Sequence, residues 1–125
     1  MKRGRGRPRR EGADEEILGV ALAMLREKGY RDLTVDAVAE HAGVAKTTIY
    51  RRWPSKGELV AAALAPIAPP DDAVELLNET AQLLAGVDDL LVLRAIVLPR
   101  REKLAQLTGA PLADELLGAV VLRSL

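Results

Sequence analysis

Apolar residues along this chain recur at helical rather than strand spacing for most of its length. Over about 13–28 they fall at Ile17, Val20, Ala21, Met24 and Leu25, the i, i+3, i+4, i+7, i+8 series of an amphipathic helix. Asp14, Glu15 and Glu16 favour its N-terminus through the helix dipole, and Gly29 closes it. Thr34 then caps a second helix whose inward positions are Val35, Val38, Ala39 and Ala42, and Gly43 supplies the left-handed residue that ends it. Val44 is placed to plug the angle to a third helix, about 45–52, in which Ile49 is the clearest core residue. Two short helices joined by so tight a turn predict a helix-turn-helix. Pro54 stops the third helix, and Ser55 with Glu58 forms a capping box for a fourth that reaches about residue 65, with Leu59, Val60, Ala63 and Leu64 inward.

Pro66, Pro69 and Pro70 cannot continue that helix, so 66–71 reads as an extended connector. Beyond it Asp72 caps a helix carrying Val74, Leu76, Leu77, Ala81, Leu83 and Leu84, which ends at Gly86. The run LLVLRAIVL at 90–98 is apolar around nearly its whole circumference apart from Arg94, and is expected to be the most buried helix of this half. Its period alone would equally allow a strand; its short polar flanks, its helical neighbours and the lack of any partner strand favour a helix. Residues 99–107 read as a separate short basic helix, and 108–111 as a turn with Pro111 at the first position of the next helix. That last segment, 112–125, carries Leu112, Leu116, Leu117, Val120, Val121 and Leu122 over more than one face, which calls for burial under the core or against a partner. The expected class is therefore all-α: a disordered basic arm (1–10), a helix-turn-helix domain (11–65), the proline-rich connector (66–71) and a helical C-terminal part (72–125).

Composition narrows this picture. A chain of 125 residues with 49% hydrophobic residues makes one or two small domains with a compact core. It has no Cys, hence no disulfide or thiolate metal site, which fits a reducing cytoplasm. The basic start MKRGRGRPRR lacks the apolar stretch of a secretory signal, and no run is long enough to span a membrane, so a soluble chain is expected. The zero net charge conceals a division: residues 1–56 hold 13 Lys and Arg against 8 Asp and Glu, whereas 57–125 hold 5 against 10. The basic surplus falls on the half that carries the helix-turn-helix, which points to a polyanion as its partner.

The chemistry follows the same division. The third helix carries Lys46, Thr47, Thr48, Tyr50, Arg51 and Arg52 with no carboxylate, a donor-rich surface that suits insertion between two rows of phosphates in a DNA major groove. The free amides at the start of the fourth helix, beside Lys56, suit an anion. In the arm, Arg5-Gly6-Arg7-Pro8 resembles the core of an AT-hook, whose arginines lie in a narrow minor groove. A solubilising tail that touches phosphates without preference is the alternative, and both strengthen DNA binding. Enzymatic readings are thin. No Gly-rich phosphate loop follows a strand, His41 stands alone on a helix, and the pairs Asp71-Asp72 and Asp88-Asp89 diverge as neighbours in sequence, so neither catalysis nor a metal or cofactor is expected.

The run GVAKTTIYRRWPSKGEL, preceded by LTVDAVAEHA, resembles the DNA-binding domain of the TetR family of bacterial transcriptional repressors, over roughly residues 11–64. The joint spacing of Gly43, Tyr50, Ser55-Lys56 and Leu59 carries the resemblance. Two departures stand out: Ala45 replaces the Ser or Thr that often caps the recognition helix, at a cost of ~1 kcal/mol, and Arg51-Arg52-Trp53 replaces a run richer in Tyr and His. The resemblance implies a ligand-released repressor that binds a palindromic operator on double-stranded DNA as a homodimer. It places Lys46 and Thr47 near base edges and Thr48, Tyr50, Arg51 and Lys56 on phosphates, with Thr34 in the same contact set; Arg5 and Arg7 of the arm complete the expected DNA-binding residues. Tyr30 is implied to be structural. A small apolar or cationic effector would sit in the C-terminal part, lined from 83–98 and 112–122. That part is shorter than is usual in the family, which leaves a second reading: a shortened member that pairs with a full-length relative and modulates it. An architectural binder that relies on the arm is a third.

Overall fold

The computed structural model describes residues 9–124, and Arg5 and Arg7 lie outside the described residues. Seven helices make up the described fold: α1 (Arg9–Lys28), α2 (Val35–Ala42), α3 (Lys46–Arg52), α4 (Lys56–Leu64), α5 (Ala73–Leu84), α6 (Leu90–Thr108) and α7 (Ala110–Ser124). No strand occurs among the described residues, and the fold is all-α. α1 begins at Arg9, so two residues assigned from sequence to the disordered arm are helical.

The caps form where the residue types call for them. Thr34 Oγ1 accepts from the Ala37 amide at 3.1 Å, Ser55 Oγ from Glu58 at 3.1 Å, and Asp72 Oδ1 from Glu75 at 3.0 Å. Gly43 closes α2 at φ 72°, a left-handed conformation that costs a side-chain-bearing residue most.

One core joins the helix-turn-helix to the start of the C-terminal half. Ile17, Ala21, Met24 and Leu25 of α1 meet Val35, Val38, Ile49, Leu59, Val60 and Leu64, and Tyr30 and Leu33 are buried among them. Leu83 and Leu84 from the end of α5 and Val92 and Ile96 from the start of α6 belong to the same cluster. A second, smaller cluster of Leu76, Leu104, Ala113 and Leu117 holds α5, α6 and α7 together at the far end. The connector at 66–71 thus links two stretches of chain that share an interior.

Four sequence expectations for this half are corrected. The expected break at Pro99 is absent, and α6 runs through it for 19 residues. Pro99 is exposed, so its ring meets solvent, and Arg100 Nη1 donates to the Ile96 carbonyl at 3.1 Å beside the missing amide. Burial of Val92, Ile96, Arg100 and Leu104 at four-residue intervals anchors both sides of the proline to one face. The expected turn at 108–111 reduces to Gly109, at φ 91°. The run 90–98 is not buried all round: α4, α5 and α7 cover one side, while Leu90 is 70% and Leu98 53% exposed on the other. On α5, Val74 and Ala81 are exposed, because the stripe Leu76, Thr80, Leu83 and Leu84 faces the interior, with Ala73 and Leu77 half-buried at its edge.

Arg100 is the buried charge that no periodicity announced. Its side chain is 1% exposed; Nε donates to Glu79 Oε1 at 3.1 Å, and Nη2 lies 3.0 Å from the same oxygen without the alignment of a hydrogen bond. Glu79 Oε2 also lies 3.8 Å from Arg26 Nη2, so one carboxylate ties α1, α5 and α6 together.

Candidate nucleic-acid interface

Helical spacing sorts the seven residues of α3. Ile49 is fully buried and turns one side of the helix into the core, where Trp53 follows half-buried. Three i, i+4 pairs occupy the remaining circumference: Lys46 with Tyr50, Thr47 with Arg51, and Thr48 with Arg52. Thr47 and Arg51 are exposed and point most directly away from Ile49, with Lys46 and Tyr50 exposed on one flank. Thr48, on the other flank, is half-buried beside an open cleft of about 720 Å³ between the start of α1 and the helix-turn-helix turn, which Arg51 and Arg52 also border. α3 therefore presents an unbroken row of donors, and Ala45 at its start makes no side-chain capping bond.

Two of these cations are already engaged in the free protein. Lys46 Nζ is 2.9 Å from Asp36 Oδ1 in the first turn of α2, and the hydrogen bond and charge of that carboxylate raise its pKa. Arg52 Nη2 is 2.7 Å from Asp14 Oδ2 of α1, and its guanidinium lies 5.7 Å from the Trp53 ring centroid. Arg51 has neither kind of partner among the described contacts. Neither the Asp36 nor the Asp14 contact was anticipated from sequence, although Asp36 and Lys46 bracket the turn at a separation the motif fixes.

Lys56 stands at the first position of α4 with its ammonium 4.1 Å from the Tyr30 ring centroid. Burial lowers its pKa, while the charges of Asp88 and Asp32 act to raise it. Tyr30 is 5% exposed and serves as the floor under Lys56, which accords with the structural role implied for it. Thr34 is exposed, and its hydroxyl is occupied in capping α2. His41 is exposed, with Nδ1 3.0 Å from the Ala37 carbonyl. Among the described residues no group of three or more His, Cys, Asp or Glu could hold a metal ion, and no helix is long and apolar enough to cross a membrane. Of the stretches expected to line an effector pocket, Leu83 borders a recess of about 240 Å³ with Leu25, Arg26, Glu79 and Gln82.

This geometry coincides with a family signature. Residues 17–63, from within α1 to the last turn of α4, match the model for bacterial regulatory proteins of the tetR family. That stretch is similar to the DNA-binding domain of the tetR family. An HTH-type transcriptional regulator of Mycobacterium bovis is 60% identical over 50 residues, which are 40% of this chain and 25% of the relative. YdeS, an HTH-type transcriptional regulator of Bacillus subtilis, is 47% identical over 60 residues, 48% of this chain and 30% of the relative. A DNA-binding transcriptional repressor TetR of Mycobacteroides abscessus is 48% identical over 56 residues, 45% of this chain and 30% of that protein. The match thus spans between a quarter and a third of the length of these relatives, and no solved structure matches the chain. Within the matched stretch, α2 and α3 form the helix-turn-helix.

Proposed function

We propose that this chain is a sequence-specific transcriptional repressor of the tetR family, which binds a palindromic operator in the cytoplasm as a homodimer and leaves it when a small effector binds. The observation that carries this reading is α3 itself: six exposed or half-exposed donors surround a single buried Ile49, without a carboxylate on the helix. A helix of that kind reads base edges when phosphate contacts hold it in register. Lys46 and Thr47 take the base edges, Thr48, Tyr50, Arg51, Lys56 and Thr34 the backbone, and Arg5 and Arg7 the minor groove. The name of the Mycobacteroides relative, a DNA-binding transcriptional repressor, favours repression. Dimerisation is supported by leucines left exposed on two helices, Leu90, Leu91, Leu98 and Leu107 of α6 with Leu112 and Leu122 of α7, apolar surface that a partner would cover. The same leucines favour a second reading, in which the chain pairs with a longer family member and modulates it.

One experiment separates the two. The purified chain is sedimented at micromolar concentration, alone and with a pool of random-sequence duplexes from which bound DNA is recovered. A dimer that enriches a palindrome, with half-sites about 34–36 Å apart, is the expected result. A monomer that enriches nothing rejects the homodimeric repressor.

A further inference from the structure

The corner between α5 and α6, at 85–89, is seated against the helix-turn-helix at two points, and a glycine stands at each. Gly86, at φ 76°, lies where an added Cβ would come within 3.2 Å of the Arg31 Cβ, in the turn that carries Tyr30. Gly57, buried in the first turn of α4 beside Lys56, lies where a Cβ would stand 2.7 Å from Asp89 Cγ and would overlap its carboxylate. Asp89 Oδ1 meanwhile accepts from the amides of Leu91 at 2.9 Å and Val92 at 3.3 Å, which caps α6 and fixes the carboxylate in that position. Val87, between the two contacts, packs on the shared core. The corner is therefore held, and it brings Asp89, with Asp88 next to it in the chain, to the positive end of α4.

We propose that Asp88, held there by the Gly57–Asp89 contact, is an internal counter-charge to Lys56 that a DNA phosphate must displace, so that this residue of the C-terminal half sets DNA affinity. This rests on the assignment of Lys56 as a phosphate contact. Lys56 is half-buried against the Tyr30 ring, which limits where its ammonium can go. Its field comes from Asp88 and from Asp32 in the neighbouring turn, and the fields of Asp89 and Asp88 both reach the Tyr30 hydroxyl. A phosphate arriving at the same ammonium meets these like charges, and a partly buried site screens them less than open water does. Asp88 is exposed, so Asp88→Asn removes charge without disturbing packing, whereas Asp89 has its capping duty.

The test uses the full chain and one random-sequence duplex, with affinity measured at low and at high salt. Asp88→Asn is expected to bind roughly two- to fivefold tighter at low salt, the scale of one partly screened charge pair, with the gain shrinking as salt rises. Glu115→Gln, an exposed carboxylate on α7, controls for loss of net negative charge and is expected to gain less. The second measurement needs no DNA: the Lys56 side-chain ammonium is followed by NMR through alkaline pH, and its titration should move down in Asp88→Asn. An Asp88→Asn chain that binds no tighter than wild type, or whose Lys56 titration is unmoved, overturns the proposal. If wild type itself binds no duplex at low salt while the Lys56 titration moves, the DNA-binding assignment falls and the electrostatic influence of Asp88 on Lys56 stands. The seat is tested by Gly57→Ala, expected to lower the melting temperature, and by Gly57→Ala with Asp89→Ser, which keeps a capping oxygen on a shorter side chain and should recover part of the loss. No recovery would show that the Asp89 contact does not hold the corner.

Discussion

At the scale of single residues, Lys46 of α3 and Lys56 of α4 stand in different surroundings, and the proposed function gives them different tasks. Lys46 is exposed on α3 and bonded to Asp36, so under the proposed function it would have to exchange that carboxylate for DNA. Asp36→Asn should tighten binding a few-fold at low salt, measured by fluorescence anisotropy with a labelled duplex, because the exchange no longer opposes association. Lys46→Ala should relax base preference in a selection from random duplexes, whereas Lys56→Ala should weaken every sequence alike and flatten the salt slope by about one unit. Equal loss of specificity from both changes would reject the division of labour. Capping gives a plainer case: α3 starts at Ala45 without a side-chain bond, and Ala45→Ser should add ~1 kcal/mol in urea denaturation. Tyr30 supplies a pH dependence. Burial, then Asp89 and Asp88, hold its hydroxyl pKa above the ordinary 10.0, while the unfolded chain ionises at the ordinary value. The fold is therefore at full strength below that pH and loses stability as pH rises beyond it. Tyr30→Phe keeps the ring under Lys56 and should remove this alkaline loss from urea midpoints compared at neutral and alkaline pH.

At the scale of elements, α6 shows what local pattern can and cannot say. Pro99 lacks the amide that an unbroken helix would bond to Ala95, yet the helix continues because Ile96, Arg100 and Leu104 bury on one line across it. Since the ring itself is exposed, Pro99→Ala should raise stability, by up to about 3 kcal/mol, without altering any packed contact. Arg100→Ala should do the reverse and cost about 3 kcal/mol or more, because Glu79 is left with only the more distant Arg26. The first four helices were legible because each boundary has a residue whose chemistry names it: Thr34, Gly43, Pro54 and Ser55. Arg100 was not, since a pair of arginines after a proline reads as the start of a basic, solvated helix. Only the presence of Glu79, 21 positions earlier, makes its burial possible. For the same reason the donors of α3 were readable one by one, whereas the carboxylates that hold Lys46, Arg52 and the surroundings of Lys56 came from α2, α1 and the α5–α6 corner. Spacing within a helix says which residues share a face, but not which other helix will face them.

At the scale of the molecule, the chain divides by charge and by its prolines but not by its interior. A sequence with so clear a connector at 66–71 reads as a DNA-binding domain followed by a separate module. Leu83, Leu84, Val92 and Ile96 nevertheless close the same core as Ile17, Leu59 and Val60. Burying four such side chains is worth roughly 6–12 kcal/mol by transfer from water, less the share of that surface the unfolded chain already hides. Domains of this size hold only about 5–15 kcal/mol in all, so the helix-turn-helix depends on the half that follows it. A fragment of residues 1–65 is therefore expected to lose its cooperative thermal transition, or to melt far below the intact chain, when both are followed by far-UV circular dichroism. The intact chain should unfold in one step, with the single Trp53 reporting the same midpoint as the helical signal. A fragment that melts at the temperature of the whole would mean that the shared core adds nothing. The interior then could not carry the influence of the C-terminal half to α4, and whatever controls DNA binding from that side would act only through the charges at the α5–α6 corner.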